Sequence, residues 1–198
     1  VDLVNGPRDL DGVLVNRKGE VAALWSSFAW QGSGDLRQEN RGMPVEYVRE
    51  LMDLVATGRE LRSLEVEWTQ MPLAAARRLG LPADWALRIG DRDPDRRGLL
   101  RVARTVAGSP AAAAFQPGDL LLTIDGEPAT RYREVELRVQ KPAVVVEVLR
   151  DGNVVRLDVA TVVLSGAGVR RVVMWAGALL QEPYRDMAAQ RGVDPTGV

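Results

Sequence analysis

The sequence predicts a mostly β protein with several helices, which places it in the α+β class. Short apolar runs such as Leu120–Ile124 and Ala143–Leu149 are bounded by Gly-Asp and Asp-Gly pairs, as is typical of strands and turns. Two other segments, Val45–Val55 and Arg131–Gln140, carry apolar residues at helical spacing. The length of 198 residues leaves room for one or two domains.

The composition argues against several classes of partner. Hydrophobic residues make up 46% of the chain and charged residues 27%, as in ordinary globular proteins. The formal net charge of −1 gives no electrostatic reason to expect nucleic acid or an anionic membrane as partner. No apolar run is long enough to span a bilayer. The chain starts at Val1 without a targeting leader, so we expect a processed product or a piece of a longer protein.

Two residue types are missing from the whole chain, and their absence limits its chemistry. Without Cys there is no thiol nucleophile and no thiolate metal ligand. Without His there is no Ser-His-Asp machinery, and the usual general base near neutral pH is missing. A Ser-Lys mechanism would have only Lys18 and Lys141, with no supporting motif. We therefore expect no catalysis by this chain alone, and we predict no cofactor and no metal site.

The N-terminal part of the chain predicts a hairpin followed by a helix. Two apolar runs flank the polar turn 17–19, which is the pattern of a hairpin. Residues 31–40 are polar and Gly-rich, and this composition predicts a surface loop. Pro44 suits the first turn of the helix that follows, and Gly58 suits its C-terminal end.

The middle of the chain predicts a half-buried strand and then a short helix. Leu64, Val66 and Trp68 alternate with polar residues, as in a strand with one buried face. The short helix is expected over residues 71–80, with a proline near its start and a glycine at its end.

Residues 81–97 are predicted to form a long loop of mixed charge. Three alternating aspartates between residues 91 and 95 invite comparison with a calcium-binding loop. That template needs a glycine and an acidic ligand where this chain has Arg96 and Val102. The loop is therefore interpreted as solvated and metal-free.

The stretch 97–126 carries the candidate ligand chemistry. Gly98 stands at the mouth of an apolar strand, where backbone N–H groups can turn outward and cradle a carboxylate. The strand after it could pair with an incoming peptide. A Pro-Gly-Asp corner then leads into the strand Leu120–Ile124, and Asp151 with Gly152 predicts a later type I′ hairpin.

This layout resembles a PDZ peptide-binding module. The resemblance implies that the short helix over 71–80 forms the other wall of a peptide groove, where the small Ala76 would leave room for a ligand side chain. The alternative is that the apolar residues of this helix pack in the core. The predicted peptide-binding residues are Arg97, Gly98, Leu99, Leu100, Arg101, Val102, Leu73 and Ala76.

A second resemblance lies upstream of this module. Gly12–Asn16, Gly19–Val21 and Gly42–Pro44 look like the landmarks that end the trypsin-like domain of HtrA/Deg serine proteases, in the same order. In active members a nucleophilic Ser precedes the first landmark. Leu10 stands at that position here and carries no nucleophile. The resemblance implies the C-terminal part of a degenerate trypsin-like β-barrel in front of the PDZ module.

The C-terminal segment resembles the start of a second PDZ-like unit. After a linker at 165–168, residues 169–198 repeat a Trp-containing strand, a Pro-started helix and a Gly-apolar ending, which indicates an array. The predicted domains are 1–61 for the barrel part, 62–164 for the PDZ domain, and 165–198 for the linker and the truncated second unit. This order is similar to the long tandem Deg proteins known from plants and fungi.

The resemblance leads to one main hypothesis for function and two alternatives. In the main hypothesis the chain is a non-catalytic regulatory segment that captures hydrophobic C-terminal or extended peptides as an added strand beside Leu100–Arg104. It could instead belong to an active serine endopeptidase whose catalytic residues lie outside this chain. It could also be a structural module with an unused groove that pairs with a second copy.

The resemblance also implies partners and a setting. We expect peptides or the C-termini of unfolded proteins as ligands, together with an upstream protease domain. A composition rich in Ala, Arg and Val suggests a bacterial source, where such proteins act in protein quality control in the periplasm or cell envelope.

Overall fold

The computed structural model describes residues 11–31, 36–164 and 171–182. Leu10, the linker at 165–168 and the helix predicted after residue 182 lie outside the described residues. The chain divides into two compact units, Val1–Arg59 and Glu60–Val198, which are described separately below.

The first unit is a three-stranded antiparallel meander followed by a helix. Asn16 closes the predicted hairpin turn, because its side-chain oxygen accepts hydrogen bonds from the backbone N–H groups of Lys18 and Glu20. Gly58 ends the helix in the left-handed conformation, at φ +61°, as predicted. The elements in chain order are β1 (Gly12–Val15), β2 (Val21–Gln31), β3 (Leu36–Pro44) and α1 (Val45–Thr57).

The loop predicted at 31–40 is wrong in its second half. There β3 begins at Leu36 and its backbone pairs with β2 from the register Gln31↔Leu36 to Ala23↔Pro44. The ladder of backbone hydrogen bonds does not depend on side-chain polarity, so a polar composition did not prevent a strand.

The second unit is built on a mixed set of strands and short helices around one main sheet. The strand order in that sheet is β10-β9-β7-β6-β5, with β8 beside β7. The elements that form or cover it are β4 (Arg62–Ser63), β5 (Val66–Pro72), α2 (Leu73–Arg78), α3 (Ala83–Arg92), β6 (Gly98–Thr105), α4 (Pro110–Ala114), β7 (Leu120–Ile124), β8 (Glu127–Pro128), α5 (Tyr132–Arg138), β9 (Ala143–Arg150), β10 (Asn153–Ala160) and β11 (Val162–Val163). Together the units confirm a mostly β, α+β protein.

Helix α3 replaces much of the loop that was predicted over 81–97. Trp85 and Ile89 lie one helical turn apart, and both are buried against Leu73 and Leu99. The high charge of the segment concealed this apolar pair, which is the signal that predicts the helix. Burial of the two side chains stabilises the helix despite its exposed charged face.

Two apolar clusters cover the faces of the sheet. One contains Trp68, Leu100 and Val146, and the Trp68 and Phe115 rings meet in a T-shaped arrangement at a centroid distance of 5.7 Å. The other contains the buried residues of α2 and α3 together with Leu99. Strand β6 therefore sends successive side chains into different cores, which places it in the middle of the unit.

Two smaller features complete the second unit. Strand β11 pairs with β4, so the beginning and the end of the segment 62–163 lie side by side. A separate hairpin contains β12 (Val172–Trp175) and β13 (Ala178–Gln181). Among the described residues, no helix is both long and apolar enough to cross a bilayer.

Candidate peptide-binding site

Strand β6 contains most of the predicted binding residues, and it lies inside the sheet. One of its edges pairs with β5 and the other with β7, at Arg101↔Leu120. On the β7 side the Val102 N–H also donates to the Asp119 carbonyl, at 2.8 Å. The predicted addition of a peptide beside Leu100–Arg104 is therefore wrong, because β6 has no open edge to offer.

The burial of the same residues agrees with this interior position. Leu99, Leu100 and Val102 are completely buried. A Cβ atom at Gly98 would lie 3.1 Å from the Met71 carbonyl oxygen, which is shorter than an ordinary van der Waals contact. The glycine thus allows β6 and β5 to approach each other. Gly98 itself is buried.

The predicted opposite wall, on α2, is also part of the core. Leu73 and Ala76 share one face of the helix, but their side chains are 6% and 0% exposed. They pack in the cluster that contains Trp85 and Leu99, which is the core-packing alternative. Of the eight predicted residues, only Arg97 and Arg101 present exposed side chains.

The open edge of the sheet belongs to β5. Among the described strands, β6 is its only partner in the sheet. The Glu65 carbonyl accepts from the Val106 N–H, and the Leu73 N–H donates to the Arg97 carbonyl, so odd-numbered residues face β6. Because backbone groups alternate along a strand, those of Val66, Trp68 and Gln70 face the open side. The β-bulge in this pair adds its extra residue to β6 and leaves the alternation of β5 intact.

Helix α5 and the residues that flank it lie along this open edge and are hydrogen-bonded to β5 and β4 at three places. At one end the Gln70 side-chain amide donates to the Thr130 carbonyl, at 3.2 Å. In the middle the Tyr132 hydroxyl donates to the Trp68 carbonyl, at 3.0 Å. At the far end Gln140 exchanges hydrogen bonds of 2.9 and 2.8 Å with the backbone N–H and carbonyl of Arg62. A groove between β5 and α5 is thus closed at both ends and crossed once by Tyr132.

The loop that leads into β5 lies at the end of the groove where Gln140 contacts Arg62. The Ser63 hydroxyl accepts a hydrogen bond of 2.9 Å from the Glu65 N–H. Glu65 itself adopts the left-handed conformation at φ +58°, which is uncommon for a residue with a Cβ, and it is 8% exposed. Strained backbone of this kind persists only where its surroundings hold it, and it clusters at ligand sites.

The N-terminus of α5 is fixed by two ion pairs that link it to α3. Arg131 donates to both carboxylate oxygens of the buried Asp93, at 2.7 and 2.8 Å. The Arg131 guanidinium holds the pKa of Asp93 below its ordinary value, against the effect of burial, which would raise it. Glu134 forms the capping box of the helix and pairs with Arg92 at 2.7 Å. The ion pairs therefore hold α5 against α3, whose buried side chains belong to the apolar cluster that contains Leu99.

The sequence predicted the strand that forms β5, but the ligand was predicted beside β6. The alternation of Leu64, Val66 and Trp68 with polar residues predicted a strand with one solvent-exposed face. An edge strand can present such a face. Tyr132 was missed, because nothing in its local sequence indicates that its hydroxyl reaches another strand. Across the described residues, no cluster of acidic side chains could hold a metal ion.

Comparisons with known proteins connect this geometry to a family. Protease Do-like 7 of Arabidopsis thaliana is 29% identical over 201 residues, a match that covers 87% of this chain and 18% of the relative. The pro-apoptotic serine protease nma111 of Aspergillus niger is 28% identical over 189 residues, with 91% and 18% covered. A PDZ domain-containing protein of Schizosaccharomyces pombe is 31% identical over 189 residues, with 90% and 18% covered. The chain thus spans 18% of the length of these relatives. No protein-family model matches it.

Solved structures show the same fold. The HtrA-type protease AlgW with a tripeptide matches with a TM-score of 0.52 at 24% identity, over 77% of this chain and 48% of that one. The same protease with a decapeptide matches with a TM-score of 0.50 at 24% identity, over 77% and 45%. The sequence matches show that this chain is similar to HtrA/Deg-type serine proteases, and the solved structures show that it shares their fold.

Proposed function

We propose that this chain is a non-catalytic, peptide-binding segment of an HtrA/Deg-type protein, and that the peptide adds to β5 as a further strand beside α5. The observation that carries the proposal is the row of backbone groups at Val66, Trp68 and Gln70 that faces away from β6. An exposed sheet edge with a helix beside it is the arrangement used for strand addition, in which main-chain hydrogen bonds supply affinity.

The contacts in the groove indicate what a ligand would replace. Tyr132 donates to the Trp68 carbonyl, which is an acceptor that a backbone N–H of an added strand would use. The Tyr132 ring is 44% exposed, so the hydroxyl can leave this carbonyl for water. The ligand would then gain a hydrogen bond that the protein already makes, and the exchange costs little net free energy.

The family relationship supports a recognition role. One relative is named a PDZ domain-containing protein, and the matching AlgW structures contain a tripeptide or a decapeptide. This chain contains no His, and Leu10 stands where the resemblance places the nucleophilic Ser. Captured C-termini of unfolded proteins and a protease domain elsewhere in the parent protein are the partners we propose.

A structural role is the second candidate, and the same groove favours it. Tyr132 already satisfies one acceptor of the edge, and the Ser63 hydroxyl satisfies the Glu65 N–H. In addition, the carboxylate of Glu65 would repel the terminal carboxylate of a peptide placed close to it. In that case α5 seals an edge that would otherwise promote unwanted pairing.

The variant Tyr132→Phe separates the two candidates. Fluorescein-labelled peptides that end in Val, Leu or Phe would be titrated with the wild type and the variant, and binding followed by fluorescence anisotropy. If a peptide uses the Trp68 carbonyl, loss of the competing hydroxyl should tighten its binding by up to about tenfold. Tyr47→Phe, the same chemical change in α1 of the first unit, is the control and should leave the affinity unchanged.

A structural seal predicts a different outcome. Neither the wild type nor Tyr132→Phe would then bind any peptide of the panel, and the variant would lose only about 1 kcal/mol of stability. That result would overturn the proposed function.

A further inference from the structure

A second concave surface lies between α2 and α3, away from the open backbone edge of β5. It is a cavity of about 680 Å³, and its wall is mostly apolar. Leu73, Ala74 and Leu87 contribute much of that wall. The Leu87 side chain is 68% exposed, which is unusual for a large apolar residue and leaves apolar area available to a partner.

Three arginines also line this cavity, and none of the described residues that line it is acidic. They are Arg77, Arg96 and Arg97. Arg77 donates to the Leu81 carbonyl, which is neutral and leaves the positive charge uncompensated. Arg96 interacts electrostatically with Asp93, but that carboxylate already carries the bidentate bond from Arg131. A cavity with an apolar wall and several unneutralised cations is complementary to a ligand with both apolar groups and carboxylates.

The backbone places Arg97 at this cavity and holds it there. Arg97 has φ +45°, a left-handed conformation that is unfavourable for a residue with a Cβ. Its N–H donates to the Asp93 carbonyl and its own carbonyl accepts from the Leu73 N–H, each at 2.8 Å. Its guanidinium lies beside Gly90 of α3, 3.9 Å from where a Cβ would be. Among the described residues, none forms a hydrogen bond or ion pair with the Arg97 side chain.

We propose that this α2–α3 cavity binds an acidic peptide segment that also carries apolar side chains. The apolar side chains would contact Leu87 and Ala74, and the carboxylates would pair with the arginines. Three separate cations favour a segment with several carboxylates over a ligand with one. The proposal does not depend on strand addition at β5.

The test uses a peptide whose ends are chemically blocked. A labelled, N-acetylated and C-amidated 12-residue peptide of alternating Leu and Glu would be titrated with the chain at low salt, alongside a Leu and Lys peptide of the same length. The blocked C-terminus removes the terminal carboxylate that the panel for the β5 groove depends on. We expect saturable binding of the Leu–Glu peptide, weakened by added salt, and no binding of the Leu–Lys peptide.

Charge variants locate the site. The double variant Arg96→Glu with Arg97→Glu should weaken binding by at least about tenfold, because two attractive pairs become repulsive. Arg96→Gln with Arg97→Gln should give a smaller loss in the same direction, and Arg101→Glu, an exposed arginine on β6 outside this cavity, should give none. Tyr132→Phe should also leave the affinity unchanged, which distinguishes this site from the β5 groove.

Three results would overturn the proposal. The first is equal affinity for the acidic and basic peptides. The second is equal loss in the Arg101→Glu control and in the double variant. The third is binding of laurate, a single-carboxylate apolar ligand, that depends on Arg96 and Arg97 when the Leu–Glu peptide does not bind.

Discussion

Strands β5 and β6 lie side by side in one sheet, yet among the described strands only β5 has an open edge. The segment that forms β6 begins with the apolar residues Leu99, Leu100 and Val102, and the structure buries these three side chains between β5 and β7. The segment that enters β5 alternates apolar and polar residues, and the structure places it at the sheet edge. The difference shows that an apolar cluster at the start of a strand can mark an interior strand, which is a poor candidate for strand addition.

The glycine at the start of β6 also reflects packing inside the sheet. Gly98 was interpreted as an anion-binding position, but its missing Cβ instead makes room for the Met71 carbonyl of β5. A large substitution such as Gly98→Trp would therefore push the two strands apart. Loss of binding in that variant would report on the fold and not on a ligand contact.

The largest expected effect tests the burial difference between the two strands. Leu100→Ala should lower the free energy of unfolding by about 2–5 kcal/mol, because it leaves a cavity in the first apolar cluster. Thr69→Ala, at an exposed position of β5, should change it by no more than about 0.5 kcal/mol. Urea denaturation followed by tryptophan fluorescence measures both values. Equal losses would contradict the assignment of β6 to the interior and β5 to the edge.

A smaller effect concerns the tie that holds α5 against the β5 edge. Asp93→Asn should cost about 1–3 kcal/mol at pH 7, because it replaces a charged bidentate partner of Arg131. The value lies below that of a fully buried ion pair, since the Arg131 side chain is 44% exposed.

The same variant should change the pH dependence of stability. The pKa of Asp93 is lowered in the folded state, so its contribution is present above the unfolded pKa of about 3.9 and is lost as pH falls through the folded pKa. The stability difference between the wild type and Asp93→Asn should therefore shrink between about pH 5 and pH 2. Asp91→Asn, an exposed position of α3, is the control. A difference that stays constant over this range would show that the ion pair contributes nothing.

Local signals in the sequence predicted much of the fold correctly. The Asp151-Gly152 pair forms the predicted hairpin turn, with φ of +49° and +78°. Ser109 caps α4 with its own side chain, because its hydroxyl accepts from the Ala112 N–H at 3.1 Å. These features depend on residues close in sequence, so the sequence alone predicts them.

Features that depend on distant residues could not be predicted in this way. The position of β6 between two strands is set by pairing with segments many residues away, and so is the contact between Tyr132 and the Trp68 carbonyl. Helix α3 formed where charge suggested a loop, because burial of Trp85 and Ile89 outweighs the polar composition. The candidate site was therefore assigned to the correct sheet, one strand away from its open edge.

The central claim is that a peptide adds to the open edge of β5, and amide hydrogen exchange resolved by NMR tests it most directly. The measurement uses the most tightly bound peptide of the Val, Leu and Phe panel. A peptide added to β5 should slow exchange at the outward amides of Val66 and Gln70. The amides of Thr69 and Met71 face β6 and should not change. Slower exchange confined to Gly98–Val102, or no change at Val66 and Gln70 with peptide bound, would contradict the assignment of the binding edge to β5.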